Sequence, residues 1–303
     1  MQYILGIDLG GTNVKAVAFA LADGRECFRQ TAPTRDGQSV DGVPAWAAAV
    51  RSLVAACANQ LGGPPARIGL AAPGLAALDE RSIAFMPGRL QGLEGWDWTN
   101  FLATPAPVPV LNDAGAALLG EVWQGAARGL RDVFMVTLGT GVGGAVLSDG
   151  RLLRGKIGRA GHLGHISLDP HGAPDITRIP GSLEDKIGEC TVQARSGGRF
   201  ASTHALVQAY ERGDTEAARL WLESVRALGC AIASLVNVCD PEAVVIGGGI
   251  AQAGTALFTP LAAVLDEVEW RPAGHRVRIV PAQLGDWAGA YGAAYRAQQT
   301  ISP

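Results

Sequence analysis

No block of basic residues, no Cys-x-x-Cys pair and no uninterrupted apolar run of membrane-spanning length occurs in this 303-residue chain. Without a basic block, and with a formal net charge of -3, there is no field to draw nucleic acid. The five cysteines (Cys27, Cys57, Cys190, Cys230 and Cys239) are odd in number and share no tight spacing. That argues against a thiolate metal site and reads as reduced, packed thiols of a cytoplasmic protein. The first apolar run stops at Asp8 with no basic residue before it, so no signal peptide is expected, and no later run approaches the roughly 18 apolar residues of a membrane span. Aromatics are scarce at 6%. Gly is abundant, with 41 residues. Much of it falls in clusters after apolar runs, where backbone turns sharply or approaches a ligand.

What is present points to two α/β lobes. The length matches about two domains of roughly 100–200 residues, and 48% hydrophobic residues are enough for two cores. Residues 3–8 read as a strand ending in Leu9-Gly10-Gly11-Thr12, followed by strands at 14–21 and 26–31, which together suggest an antiparallel meander. An Ala-rich helix is expected over 43–61, stopped by Gly62-Gly63-Pro64-Pro65, and a strand over 67–71 runs into Pro73-Gly74. The middle repeats the opening: a strand at 132–138, a turn from Gly139 to Gly144, a strand at 145–148, then a hairpin turn at Asp149-Gly150. That internal repeat predicts two related lobes around a central cleft. A long helix is expected over 214–240 with Asp214 as N-cap, then a strand at 243–246, Gly247-Gly248-Gly249, and a closing helix at 286–299. The division expected is 1–113 and 114–303, with the closing helix packing back on the first lobe.

Several motifs carry chemistry, each beside a plainer reading. Gly139-Thr140-Gly141-Val142-Gly143-Gly144 satisfies the dinucleotide pattern G-x-G-x-x-G. A strand, not a helix, follows it, so the Rossmann reading fails and a phosphate-facing hairpin turn remains, or simply a turn. Asp8 with Gly10, Gly11 and Thr12 suits Mg²⁺ water ligands beside phosphate oxygens, or a turn whose Asp bonds local backbone. Asn112-Asp113-Ala114 opens an Ala-rich helix expected over 114–127, so Asp113 is either its N-cap or a base projecting into a cleft. His162, His165 and His171 fall in one short segment with Asp169 and Asp175, either as metal ligands or as a polar loop. Gly181-Ser182-Leu183-Glu184 reads as a helix start.

Together these residues resemble the ROK family of repressors and sugar kinases, within the actin-like/hexokinase-like ATPase fold. The resemblance runs from Ile4 to about Tyr295. Asp8-Leu9-Gly10-Gly11-Thr12 resembles its first phosphate motif, Leu138-Gly139-Thr140-Gly141 its second, and Val245-Ile246-Gly247-Gly248-Gly249 its adenosine motif. Asn112-Asp113 resembles the sugar-contacting Asn and the catalytic Asp, and Ala72-Pro73-Gly74 a small-residue loop near the sugar. Two departures stand out. The family's three zinc-binding Cys fall on Asp175, Thr177 and Ser182, while His165 keeps the position of the zinc His; with all three thiolates gone, no structural zinc is expected. His162 stands where a sugar-contacting Glu is usual, while Glu184 keeps the second Glu position. An ionised Glu only accepts hydrogen bonds, whereas neutral imidazole has one donor and one acceptor, which puts ordinary glucose specificity in question.

The resemblance implies ATP- and Mg²⁺-dependent phosphorylation of a hexose-like sugar, glucose or a related hexose or N-acetylhexosamine, at the 6-hydroxyl. Asp113 would be the base, with Asn112, His162, His165, Glu184 and Gly74 at the sugar. Asp8 would hold Mg²⁺ mainly through water. A cytoplasmic homodimer with no nucleic acid or membrane partner is expected. The alternatives are an idle sugar-binding or regulatory protein of the same fold, a sugar-sensing repressor, and polyphosphate in place of ATP.

Overall fold

The computed structural model describes residues 1–300. The chain divides into two compact units: one of Met1–Gly129, Arg154–Ala160 and the chain from Gln283 onward, the other of Leu130–Leu153 and Gly161–Ala282. The boundary expected after residue 113 thus falls after 129. The reason is packing: the helix that starts at Asp113 lies against the closing helix and the first sheet.

In chain order the first unit contains β1 (Tyr3–Leu9), β2 (Asn13–Ala20), β3 (Glu26–Pro33), a short pair β4 (Ser39–Val40) and β5 (Val43–Pro44), and α1 (Ala45–Leu61). It continues with β6 (Arg67–Ala72), a second short pair β7 (Leu75–Ala76) and β8 (Ile83–Phe85), α2 (Trp98–Phe101), β9 (Val110–Asn112) and α3 (Asp113–Gln124). The second unit contains β10 (Val133–Leu138), β11 (Val142–Ser148), β12 (Arg151–Leu152), α4 (Leu183–Ile187), α5 (Val192–Arg195), α6 (Thr203–Glu211), α7 (Thr215–Cys239), β13 (Ala243–Gly247), α8 (Thr255–Val268) and β14 (Arg278–Pro281). The last helix, α9 (Ala288–Gln299), belongs to the first unit.

Each unit is built on a five-stranded sheet, ordered β3-β2-β1-β6-β9 in the first and β12-β11-β10-β13-β14 in the second. In both, an antiparallel meander is extended by two parallel strands. The internal repeat read from the sequence is therefore a repeated topology. Of the boundaries that move, two have a plain cause. The helix expected from 43 starts at Ala45, because Val43 and Pro44 pair with β4. β11 starts at Val142, so the second turn shrinks to residues 139–141 and Gly143 and Gly144 are strand residues. Gly144 is required there because the Leu163 side chain occupies the space a Cβ would take.

Apolar faces fix the layers. Against the first sheet's Ile7 and Leu70 pack Trp46 and Leu53 of α1 and Trp98 of α2, all in one buried cluster. Its other face takes α9, whose backbone comes so close to Gly6 and Gly69 that any side chain would overlap the Ala290 and Ala293 carbonyls. In the second unit α7 buries Leu220, Trp221, Val225, Leu228 and Ile232, and Trp221 donates from Nε1 to the Ala256 carbonyl at 2.8 Å. By length and composition α7 would reach across a bilayer. Its first turns nevertheless carry a charged face, with Arg219 bridging Glu216 and Glu223, which marks an amphipathic core helix. Asp214 caps it as expected, accepting from the Ala217 N–H at 2.9 Å.

Candidate active site

In the first unit the parallel pairing of β1, β6 and β9 aligns their carboxyl ends, with Asp8 opposite Ala71 and Ala72 opposite Asn112. Carboxyl ends of parallel strands are where α/β sheets place ligands. Asp8 closes β1, and Asp113 is the first residue of α3, with its side chain exposed. The N-cap reading of Asp113 fails: Asn112 caps α3, its Oδ1 accepting from the Ala114 and Gly115 N–H groups at 3.0 and 3.2 Å. The Asn112 amide also donates to the Gly74 carbonyl at 2.8 Å, tying the Pro73-Gly74 loop to the helix start. Asp113 Oδ1 accepts from the Ala114 N–H at 2.8 Å.

The Asp8 carboxyl is pushed up to about 7, first by burial and then by the charge of Asp113, with Lys15 opposing. Two carboxylates so placed repel, and a divalent cation relieves that repulsion. The donor set therefore fits Mg²⁺ held by Asp8, through water as hard oxygen chemistry prefers. The turn of Gly10, Gly11 and Thr12 is held open beside them. Thr34 donates from Oγ1 to the Gly10 carbonyl at 2.6 Å, and its N–H reaches the Thr12 carbonyl at 2.9 Å.

Two cations at this site escaped the sequence reading. Lys15 is the cross-strand partner of Asp8 in the β1–β2 ladder, a position the hairpin register alone would have found. Arg89 lays its guanidinium against Gly11, where any side chain would collide with it. Nothing in the local sequence pattern marks Arg89, because loop 86–90 brings it back from a distant part of the chain.

In the second unit the turn of Gly139, Thr140 and Gly141 is pinned by its neighbours. The Gly139 and Thr140 carbonyls accept from the Glu189 and Cys190 N–H groups at 3.0 and 2.8 Å. Glu184 accepts from the Val142 N–H at 2.9 Å, and its carboxylate fills the space a Cβ on Gly141 would need. Gly139, Thr140 and Gly249 line a cavity of about 490 Å³, together with Glu189, Thr203, His204, Gln208 and Gln252. Gly248, at φ 86°, lies against the Leu138 backbone, and Gly247 packs against Met135. Neither is among the residues that line the cavity. The α6 contribution was missed, although Thr203, Val207, Gln208 and Glu211 fall on one helical face by spacing alone.

His162 precedes a single 3₁₀ turn, Leu163–His165, and is half-buried. His165 meets Asp175 through Nδ1 at 2.9 Å. Asp175 Oδ1 accepts from the Thr177 and Ile179 N–H groups at 2.8 and 2.9 Å and from the Thr177 hydroxyl at 2.8 Å. Burial alone would raise this carboxyl, but hydrogen bonds from His165, Ile179, Thr177 and Ser182 hold it well below the usual carboxylate range. Asp175, Thr177 and Ser182 thus gather beside His165 as one hydrogen-bonded cluster. His171 is exposed. Among the described residues no group of three His, Cys, Asp or Glu is placed to hold a metal.

Paired sheets of one topology, each with a Gly turn after its first strand, define the actin-like/hexokinase-like ATPase fold. Known proteins agree. A glucokinase of Halalkalibacterium halodurans is 30% identical over 98% of this chain and 96% of its own. An N-acetylmannosamine kinase of Escherichia fergusonii is 33% identical over 97% of this chain and 98% of its own. Among solved structures, a ROK hexokinase from Thermus thermophilus superposes with a TM-score of 0.86 at 31% identity, covering 99% of both chains. A ROK family glucokinase from Streptomyces griseus, solved with glucose and AMPPNP, has a TM-score of 0.76 at 27% identity, covering 98% of this chain and 99% of that one. The protein is an enzyme of the sugar-kinase class. The model of the ROK family matches residues 4–300, and the chain belongs to that family.

Proposed function

We propose that the protein transfers the γ-phosphoryl group of ATP to the 6-hydroxyl of a hexose or N-acetylhexosamine, with Asp113 as the base. The observation that carries this reading is that Asp8 and Asp113 stand at aligned strand ends of one sheet, near enough for the charge of Asp113 to act on Asp8. Asp113 stands exposed at the start of α3, and phosphoryl transfer asks little more of the protein than an oriented nucleophile and neutralised charge. As Asp113 takes the hydroxyl proton, the sugar oxygen bonds to phosphorus. The bond from phosphorus to the bridging oxygen breaks, and its electron pair leaves with ADP. Asp8 would hold Mg²⁺, which when bound neutralises phosphate charge.

The cavity beside Gly139 and Thr140 favours a nucleotide over polyphosphate. Its volume of about 490 Å³ lies within the roughly 300–1,000 Å³ of small-molecule sites. Gln208 and Gln252 offer it neutral amides, which suit a base better than a chain of phosphates. Gly74, Asn112, His162, His165 and Glu184 are assigned to the sugar, although Asn112 spends much of its amide on the helix cap and the Gly74 carbonyl. Five free cysteines fit a reducing cytoplasm, where ATP is made.

A coupled ADP-release assay with Mg-ATP against hexoses, N-acetylhexosamines and ketohexoses tests the reading. One sugar should release ADP, and Asp113→Asn should lower kcat by about 10²–10⁴ while sparing sugar affinity. Full activity in that variant removes Asp113 from the role. Intact ATP binding with no turnover on any sugar would favour an idle sugar-binding protein.

A further inference from the structure

We propose that Asp175 is a positioning residue for the bound sugar: it fixes His165 with the proton on Nδ1 and leaves the Nε2 lone pair as an acceptor for a sugar hydroxyl. The proposal rests on the assignment of His165 to the sugar. Its own support is geometric. Asp175 Oδ2 lies 2.9 Å from His165 Nδ1, and the Asp175 carboxylate is 2% exposed against 30% for the imidazole. Oδ1 already accepts from two backbone N–H groups and the Thr177 hydroxyl. The hydrogen bonds that hold this carboxyl low keep it ionised at neutral pH, and an ionised carboxylate only accepts. The partner nitrogen must therefore donate, so in the neutral imidazole the proton sits on Nδ1 and Nε2 is the acceptor.

The same carboxylate reaches a second assigned sugar residue. Ser182 hydrogen-bonds Asp175 and caps α4, accepting from the Asp185 N–H at 3.2 Å. Glu184 sits in that first turn of α4. One buried charge thus orients His165 directly and the helix bearing Glu184 through Ser182.

Asp175→Asn makes a sharp test. The Asn oxygen replaces Oδ1, where three donors converge, so its NH₂ group faces His165 Nδ1. The nitrogen then has to accept, and the proton moves to Nε2. Imidazole ¹⁵N correlation spectra should show His165 protonated at Nδ1 in the native enzyme and at Nε2 in the variant. The sugar KM should rise about tenfold or more, as expected when a donor faces a donor, with the ATP KM unchanged. Thr177→Val removes one donor to Asp175 and should leave the tautomer and sugar KM in place.

A native Nε2–H tautomer, or an inverted tautomer with unchanged sugar KM, overturns the proposal. Displacement of the His165 Nε2 resonance by added sugar reads the contact without turnover. A protein that shows this displacement and transfers no phosphate would sink the kinase reading and leave this one standing. No displacement by a sugar that is phosphorylated overturns this one alone.

Discussion

Asp8 is held at the carboxyl end of β1 with its carboxyl pushed up from the ordinary 3.8 to about 7, first by burial and then by the charge of Asp113. Between those values the unfolded chain has released this proton while the native chain still holds it. The contribution is fully favourable below the unfolded value and is lost as pH rises toward about 7. Without Mg²⁺, Asp8→Asn should therefore be more stable than the native protein by about 2–4 kcal/mol above neutral pH and no different in acid. Urea unfolding at several pH values measures this, and added Mg²⁺ should flatten the native slope. A pH-independent difference would mean that Asp8 is not desolvated. His162 makes a different kind of prediction. If it replaces an accepting carboxylate with a donor–acceptor ring at the sugar, His162→Glu should reorder the hexoses by kcat/KM, by about tenfold for at least one pair. An unchanged order would show that His162 does not touch substrate.

At the scale of elements, α3 and α9 are joined by a residue that no motif announces. Glu121 is completely buried, and its carboxylate accepts from the Ala126 N–H at 2.7 Å and the Leu284 N–H at 2.8 Å, with the Gln283 N–H shared between its two oxygens. It thereby fixes both the end of α3 and the chain entering α9. Glu121→Ala would orphan several buried donors, so a loss of about 3 kcal/mol is expected, read as a lower urea midpoint. The approach of the two helices needs Gly292, where a Cβ would overlap the Ala116 carbonyl. Much else was legible at this scale. The meander β1–β3 follows from apolar runs separated by turn residues, and the Asp214 and Ser182 caps follow from side chains that accept from N–H groups three residues on. The helices α6 and α8 were not seen. Polar cavity-facing residues blur the pattern of α6, and Pro260 interrupts that of α8.

For the whole molecule, the same topology occurs twice, which one sequence shows only as two weakly similar strand–turn–strand units. Nucleotide should act first on the second unit, whose cavity lies wholly within it. AMPPNP at about 100 times its Kd should stabilise the native state by about 2.7 kcal/mol. Hydrogen exchange should slow most in the turn at 139–141, in α6 and around Gly249 to Ala253. Protection confined to other segments would place the nucleotide elsewhere.

By itself the sequence determined the α/β class and the two Gly turns, marked Asp8 and Asp113 as separate candidates, and pointed to the family. These are local matters: apolar period, turn chemistry and residues close together in the chain. Only the tertiary structure decided that Arg89 attends the first turn and that Asp175 gathers His165, Thr177 and Ser182. Each of these depends on which distant groups share a desolvated space, where an unmet donor or unpaired charge is costly. A one-dimensional pattern carries no measure of that space.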